Sequence, residues 1–186
     1  MTISIPSLPL LLRRMLSLLT AGSDTEQSRE HRFRQITSDY GRIISGVCFS
    51  YSSSPEDAAD LRQDILINIW NGLPRFRGDS GLSTWIYRVA LNTAVSSIRR
   101  RSRRPATVTL DQAADPSDET SESRERIEWL HARISELSEI DKAVITLWLD
   151  DQPYETIAEL TGLSRANVAV RINRIKKRLS NQAQKE

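Results

Sequence analysis

Apolar residues recur at intervals of three and four along most of the chain, which is the spacing of amphipathic helices. The clearest example is residues 56–71, where Ala58, Leu61, Ile65 and Ile69 form one stripe. Similar patterns predict helices over residues 26–52, 84–104, 124–136, 138–149, 154–160 and 164–179. Ser54 or Pro55 is expected to begin the helix over 56–71. Ser138 is expected to cap the helix over 138–149. The predicted fold is therefore all-α.

The helix predicted over residues 84–104 has two different faces. Its apolar face comprises Ile86, Ala90, Ala94 and Ile98, with Tyr87 and Leu91 beside them. Its second face comprises Trp85, Arg88, Asn92, Ser96 and Arg99, and the helix ends in Arg99, Arg100, Arg101, Arg103 and Arg104. Aromatic rings stack on unpaired bases, amides bind base edges, and guanidiniums bind phosphates. The second face is therefore predicted to bind nucleic acid as a single strand.

The alternative for this helix is a core element with buried aromatic rings and a solvated arginine end. That alternative is favoured for Phe76 or Trp85 taken alone, and the combination with five arginines favours nucleic acid. A turn precedes the helix, in which Gly78 and Gly81 are expected to adopt unusual backbone angles and Ser83 to be the N-cap.

Residues 154–179 fit a helix-turn-helix. Ala158 is small where the two helices would cross, Gly162 stands where the turn needs a left-handed residue, and Ser164 can cap the second helix. The expected packing residues are Ile157, Leu160, Leu163, Val168 and Ile172. The polar residues of the second helix are Arg165, Asn167, Arg171, Asn173, Arg174, Lys176, Lys177 and Arg178. We expect its N-terminal side chains to enter a DNA major groove. An ordinary helical hairpin with a basic face is the alternative.

The helix over residues 56–71 has a polar face that contains one isoleucine. This face comprises Asp60, Gln63, Asp64, Ile67 and Asn71. Periodicity leaves two interpretations open, a solvated surface and a docking surface for a partner protein.

Charge is segregated along the 186 residues although the net charge is only +2. The segment 160–185 has seven basic and no acidic residues, whereas residues 111–125 have six acids and one arginine. Residues 105–123 are rich in Ala, Thr, Asp, Ser and Pro, which predicts a flexible acidic linker. The expected architecture is two small helical domains joined by that linker, with basic parts that bind polyanions.

The single cysteine, Cys48, excludes a disulfide within the chain and fits a reducing cytoplasm. It is expected to be a buried apolar residue. His31 and His131 have no Cys or His at ligand spacing, so neither a metal site nor a cofactor is predicted. Residues 1–25 form a leucine-rich leader interrupted by Arg13 and Arg14. The leader is predicted to be mobile or amphipathic rather than a signal peptide or a membrane span.

In order along the chain, these elements resemble the bacterial sigma-70 family, specifically its short extracytoplasmic-function group. The resemblance covers roughly residues 33–179. The helix with Asp60-Leu61-Arg62-Gln63-Asp64 and Trp70 resembles the first motif of region 2. The segments Phe76-Arg77-Gly78-Asp79-Ser80, Thr84-Trp85-Ile86-Tyr87-Arg88 and Asn92-Thr93-Ala94 resemble the motifs that follow it. Residues 154–179 resemble region 4.

The resemblance implies a factor that directs core RNA polymerase to promoters. Region 2 would span residues 26–104 and region 4 residues 124–186. Polymerase would contact Asp60, Gln63, Asp64, Ile67 and Asn71. The opened minus-ten element would contact Phe76, Trp85, Arg88, Asn92, Arg99 and Arg100, with Phe76 and Asn92 holding a flipped base. The minus-35 element would contact Arg165, Asn167, Arg171, Asn173, Arg174 and Lys177. The acidic linker would run near the RNA path of polymerase, and an anti-sigma protein is the expected regulator.

Some positions depart from the family pattern. Asp64 replaces a common glutamate and Arg62 a common apolar residue, which leaves the details of polymerase contact open. Ala169 and Val170 stand where relatives often carry polar residues, so they can touch a thymine methyl group but cannot hydrogen-bond. The promoter sequence therefore does not follow from the chain.

Two other functions compete with this interpretation. A stand-alone helix-turn-helix regulator would leave residues 76–104 unexplained, and no separate ligand-binding domain is visible. A nucleic-acid enzyme such as a recombinase would need clustered carboxylates, metal ligands or an activated nucleophile, and the sequence offers none of these. We therefore expect no catalytic activity of the chain's own.

Overall fold

A computed structural model of the chain describes residues 26–102 and 121–184, and these residues form helices and turns with no β-strand. The first half comprises α1 (26–39), α2 (Gly41–Tyr51), α3 (Pro55–Gly72), a short 3-10 turn (Leu73–Arg75) and α4 (Leu82–Ser102). The second half comprises α5 (Ser121–Ser135), α6 (Glu139–Leu149), α7 (Tyr154–Thr161) and α8 (Arg165–Ala183). The leader over 1–25, most of the predicted linker, Arg103 and Arg104 lie outside the described residues.

The N-terminal helices differ from the sequence prediction at one point. A single helix was expected over residues 26–52, and the structure instead separates α1 from α2 at Tyr40, whose backbone has φ −115° and ψ 13°. Gly41 follows at once, and glycine is a poor helix former, so the break falls where helix propensity is lowest. Ile36, Ile44 and Val47 are nevertheless all buried, which preserves the predicted apolar stripe across the break.

The core of the first half is the packing of α2, α3 and α4 against one another. Leu61, Ile65 and Ile69 of α3 are at most 1% exposed, as their spacing predicted. Full burial of such a side chain contributes about 1.5–3 kcal/mol. Ile86 and Ala90 of α4 are also fully buried. This packing fixes the opposite face of α4 toward the outside.

The turn before α4 was predicted correctly only in part. Gly78 has φ 82°, a left-handed value that glycine adopts without steric cost. Gly81 does not share this conformation, and its carbonyl accepts the first helical hydrogen bond, from the Trp85 amide at 3.0 Å. The prediction of Ser83 as the N-cap was wrong, because α4 already begins at Leu82.

The second half contains the predicted helix-turn-helix. The hydroxyl oxygen of Ser164 accepts from the Asn167 amide at 3.2 Å and caps α8, and Gly162 has φ 71°. Ile157, Val168 and Ile172 are at most 1% exposed and form the packing between α7 and α8. Residues 121–123, expected in the linker, belong to α5. The helical spacing of Ile127, Leu130 and Ile134 predicts that all three face inward. Ile134 is fully buried and Leu130 packs against the core, but Ile127 is 42% exposed.

The two predicted helical domains pack against each other along their buried residues. Helix α2 packs against α5 and α6, and α4 packs against α7. Tyr87 of α4 is 1% exposed, and its hydroxyl hydrogen-bonds the carboxylate of Asp150 at the end of α6. No helix in the described ranges is both long and apolar enough to cross a bilayer.

Candidate nucleic-acid and protein interfaces

The second face of α4 is exposed, as its spacing predicted. Arg88, Asn92, Ser96 and Arg99 are solvent-exposed, and Trp85 is half-buried at the start of the stripe. Because the opposite face of the helix is buried in the core, these side chains point toward solvent. The helix therefore presents an amide, a hydroxyl and cations along one line.

An aromatic pair lies at the start of this stripe. The rings of Phe76 and Trp85 have centroids 5.1 Å apart, and the Arg32 guanidinium lies 5.6 Å from the Phe76 ring. Trp85 fits closely over Gly72, where a Cβ atom would lie 2.9 Å from Trp85 Cζ2. The glycine thus allows the indole to pack onto the end of α3. This brings together the two predicted base-stacking residues, one from the loop and one from the helix.

The three arginines at the end of α4 that the structure describes, Arg99 to Arg101, each have an acidic partner. Arg100 Nη2 lies 2.7 Å from Asp64 Oδ2, and Arg99 Nη2 lies 3.7 Å from Glu139 Oε2. Arg101 pairs with Asp57 and also donates to the Tyr51 carbonyl at 3.0 Å. Farther up the stripe, Arg88 Nη2 lies 3.1 Å from Glu159 Oε1. Arg88 and the arginines from Arg99 to Arg101 therefore each have a carboxylate partner within the described residues.

The predicted docking face of α3 is exposed over its length. Asp60, Gln63 and Asn71 face solvent, and Ile67 among them is 48% exposed. Asp64 is half-buried because it pairs with Arg100 of α4. An exposed isoleucine ringed by acids and amides is a suitable anchor for a partner protein.

Helix α8 presents a polar stripe to solvent and buries Val168, Ile172 and Ile175. The exposed residues on the stripe include Arg165, Asn167, Val170, Asn173, Arg174 and Lys177. Val170 is 66% exposed at its centre. Arg165 Nε lies 2.5 Å from Glu155 Oε1 of α7. The stripe has the geometry of a recognition helix, with an apolar contact point between two amides.

Arg171 differs from the other predicted residues of α8. Its side chain is only 29% exposed, and its Nη1 lies 2.6 Å from Oδ1 of Asp141 on α6. Arg174 Nη2 lies 2.9 Å from the other carboxylate oxygen of Asp141. Asp141 is itself buried, and it was not identified from the sequence. In the sequence, Asp141 is notable only as an acidic residue in the first turn after the Ser138 cap. That position does not predict ion pairs with Arg171 and Arg174, which lie 30 and 33 residues away.

The pKa values of several side chains are displaced from their ordinary values, and three of these bear on the residues discussed above. Burial acts to raise the pKa of Asp141, but hydrogen bonds from Arg171 and Ser138 and the charges of both arginines lower it overall. Burial, followed by the bond to Asp150, raises the pKa of Tyr87. Burial raises the pKa of the Cys48 thiol to about 11, which keeps the predicted buried cysteine protonated and unreactive. Among residues 26–102 and 121–184 no group of three metal-ligating side chains comes together.

Taken together, a two-faced basic helix and a helix-turn-helix on one all-α chain define a DNA-binding protein. Comparison with known families makes this more specific. Residues 36–104 match Sigma-70 region 2, and residues 127–179 match Sigma-70, region 4. The chain belongs to the sigma-70 family, in its extracytoplasmic-function (ECF) group.

Curated relatives agree with this membership. The chain is 38% identical over 124 residues to the ECF RNA polymerase sigma factor SigG of Mycobacterium tuberculosis, with 64% of this chain aligned. It spans only 33% of the length of that relative. It is 30% identical over 173 residues to the ECF RNA polymerase sigma-E factor of Escherichia coli, covering 86% of this chain and 90% of the relative.

Solved structures show the same fold. CnrH, in complex with the cytosolic domain of CnrY, aligns with a TM-score of 0.64 at 21% identity, over 84% of this chain and 90% of CnrH. The sigma factor RpoE of Bartonella quintana, in complex with the anti-sigma factor NepR, aligns with a TM-score of 0.66 at 23% identity. That alignment covers 82% of this chain and 97% of RpoE.

Proposed function

We propose that the chain is an RNA polymerase sigma factor that directs transcription initiation at specific promoters. The observation that carries the proposal is the presence of two exposed stripes of amides and cations, on α4 and on α8, within a chain of the sigma-70 family. The first suits an opened strand and the second suits a duplex, which is the pair of surfaces that promoter opening requires. The chain would act as a specificity subunit with no catalytic activity of its own.

At the minus-ten element, the opened strand would bind along α4. Phe76 and Trp85 would stack on unpaired bases, Asn92 would hold a flipped base, and Arg88, Arg99 and Arg100 would contact phosphates. Unstacking costs a few kcal/mol per flipped base, and the stacking and ionic contacts would offset that cost. The exposure of Asn92 and the proximity of the Phe76 and Trp85 rings support this assignment.

At the minus-35 element, α8 would enter the major groove. Arg165, Asn167, Asn173, Arg174 and Lys177 would contact bases and phosphates directly. Arg171 would contribute mainly by holding α8 against α6, because most of its surface is covered and its guanidinium is bound to Asp141. Its predicted part in minus-35 binding would then be indirect.

Core polymerase would bind the exposed face of α3, with Ile67 at its centre and Asp60, Gln63, Asp64 and Asn71 around it. An anti-sigma protein is the expected regulator, and two structurally similar proteins are described in complexes of this kind, with CnrY and with NepR. Because its partners are polymerase and promoter DNA, we place the protein in the cytoplasm.

The test is run-off transcription with sigma-free bacterial core polymerase on a library of promoter fragments, with and without the full chain. Initiation at defined sites that depends on the chain supports the proposal and returns both promoter elements. Tight binding of the chain alone to duplex DNA, without initiation, would instead support a stand-alone helix-turn-helix regulator.

A further inference from the structure

Helix α1 lies beside the loop that carries Phe76 and brings a cation to it. The guanidinium of Arg32 lies 5.6 Å from the centroid of the Phe76 ring, which is within the range of a cation–π contact. The Trp85 ring lies 5.1 Å from the same ring. A positive charge from α1 therefore meets the aromatic pair that the loop and α4 form.

Two neighbours of Arg32 fix α1 onto the end of α3. Arg29 Nη2 donates to the Trp70 carbonyl at 2.6 Å, and the Arg29 guanidinium lies 3.9 Å from the centroid of the Trp70 ring. The Phe33 ring meets the same indole edge-on, with centroids 5.2 Å apart. Residues three and four apart share one face of a helix, so this face of α1 points toward the end of α3 and the loop that follows it. The packing of Arg29 and Phe33 therefore sets the position of Arg32 beside Phe76.

Arg32 differs from the arginines of α4 because its charge is not paired within the chain. It is exposed, and within residues 26–102 and 121–184 no carboxylate forms an ion pair with it. Glu30, the acid nearest to it along α1, instead pairs with Arg34 at 2.6 Å. By contrast, Arg88 of α4 is paired with Glu159 at 3.1 Å. An external anion can therefore bind Arg32 without first breaking an ion pair between described residues.

An aromatic ring with a cation beside it is suited to a nucleotide in a single strand. The unpaired base stacks on the ring, and the flanking phosphates then lie near the cation, which binds their oxygens through its N–H donors. The loop around Phe76 adds to the attraction for a polyanion. Arg75 and Arg77 flank Phe76 and are exposed, and Asp79 is the acid of this loop. The surroundings of Phe76 are therefore basic on balance, with Arg32 added from a separate helix.

We propose that Arg32 of α1 is a further DNA-contacting residue of the minus-ten site, and that its guanidinium binds a phosphate next to the nucleotide whose base stacks on Phe76. This inference deepens the proposed function and rests on it. Helix α1 is then the third element of the minus-ten site, after the Phe76 loop and α4. Its contribution is a phosphate contact, while the base contacts remain with Phe76, Trp85 and Asn92.

The test is a double-mutant cycle between Arg32 and single phosphates of the non-template strand. Holoenzyme is assembled from core polymerase and the full chain, as wild type or Arg32→Gln. It is bound to a fluorescein-labelled fork DNA that carries the promoter returned by run-off transcription and leaves the minus-ten strand unpaired. Each phosphate of that strand is replaced in turn by a neutral methylphosphonate, and fluorescence anisotropy measures the affinity. The nucleotide on Phe76 is identified as the abasic position that weakens wild type but not Phe76→Ala.

Arg32→Gln should bind unmodified fork DNA about tenfold more weakly than wild type, because a partly exposed hydrogen bond between charged groups is lost. At one phosphate next to the identified nucleotide, the methylphosphonate should weaken wild type about tenfold and Arg32→Gln less than twofold. Arg34→Gln is the matched control, since it removes the same charge from an exposed position of α1 and should weaken binding less than twofold. Equal losses for the two glutamine variants, or the same methylphosphonate profile for wild type and Arg32→Gln, would overturn the proposal.

Arg32→Lys separates a phosphate contact from stacking of the guanidinium on a base. Lysine binds phosphate as a point charge but offers no planar group to stack. It should therefore stay within about threefold of wild type, and a loss as large as that of Arg32→Gln would overturn the phosphate assignment.

Three parallel measurements separate this inference from the proposed function. Circular dichroism and competition with a labelled sigma factor should show that Arg32→Gln keeps its helices and its affinity for core polymerase; a lower affinity for polymerase would overturn the proposal. Run-off transcription with the wild type is the third. Initiation without a selective loss at any phosphate overturns the role of Arg32 and leaves the proposed function standing. Absence of initiation overturns the proposed function and this inference together.

Discussion

Asp141→Asn tests whether one buried carboxylate holds the recognition helix in place. In the wild type this carboxylate accepts from Arg171 Nη1 at 2.6 Å and from Arg174 Nη2 at 2.9 and 3.2 Å. Asparagine has nearly the same shape, so the substitution removes the charge and one acceptor without leaving a cavity. What it leaves behind is a largely covered Arg171 guanidinium without a counter-ion.

The expected loss of stability follows from the exposure of the two arginines. A hydrogen bond to a charged group contributes about 1.5–3 kcal/mol when water is largely excluded. That range applies to Arg171, which is 29% exposed. Arg174 is 63% exposed, so screening reduces its share to about 0.5 kcal/mol or less. Asparagine can still accept one bond, and we therefore expect a net loss of about 2 kcal/mol.

Hydrogen exchange of the amides in α6 and α8 measures this loss in the second half alone. A destabilisation of about 2 kcal/mol corresponds to roughly 30-fold faster exchange. Glu136→Gln is the matched control, since this carboxylate is 40% exposed while it pairs with Arg178 at 3.1 Å and with nearby Arg133 at 3.2 Å. This control should change exchange less than threefold. Exchange in Asp141→Asn within twofold of that control would refute the reasoning.

Comparison of the wild type with Asp141→Asn also tests how stability depends on pH. The folded-state pKa of Asp141 is lowered below its ordinary value of 3.8. Its carboxylate therefore contributes stability above that pH, and the contribution is lost as the pH falls through the lower folded value. The stability difference between wild type and Asp141→Asn should be constant from about pH 5 to 8 and should shrink below about pH 4.

Three further substitutions test the other surfaces and the turn. Asn92→Ala should slow promoter opening at least tenfold in a permanganate footprinting assay while leaving the affinity for core polymerase unchanged; a loss of polymerase binding would contradict our assignment of that face. Ile67→Glu should weaken core polymerase binding by roughly 2 kcal/mol, measured by competition with a labelled sigma factor, and normal binding would remove α3 from the polymerase interface. Gly162→Ala should lower the stability of the second half by about 1 kcal/mol in urea unfolding, because alanine is strained at the φ of 71° found there; an unchanged midpoint would contradict this.

Most of the helical architecture follows from short-range sequence signals. Ser54, Ser138 and Ser164 cap helices because each lies three residues before an amide that its hydroxyl accepts from. The buried stripe of α3 follows from the three- and four-residue spacing of its apolar side chains. Helix caps and apolar stripes depend only on residues within one or two helical turns of each other, so they can be predicted from the sequence alone.

Helix ends near glycines and in the linker were less predictable. The break at Tyr40 divides one predicted helix in two, and α4 and α5 begin at Leu82 and Ser121, two and three residues before the predicted starts. At these places the local preference for helix over turn is small, and contacts with other helices decide which conformation prevails.

What only the tertiary structure decided is which charges meet. Asp141 lies 30 residues from Arg171, and Arg42 lies 108 residues from Asp150. Sequence alone determined that α4 and α8 carry cations on one face, because helical periodicity is local. It could not determine that α3, α6 and α7 bring carboxylates to those cations, because the angles at which helices pack depend on how the whole set of buried side chains interlocks.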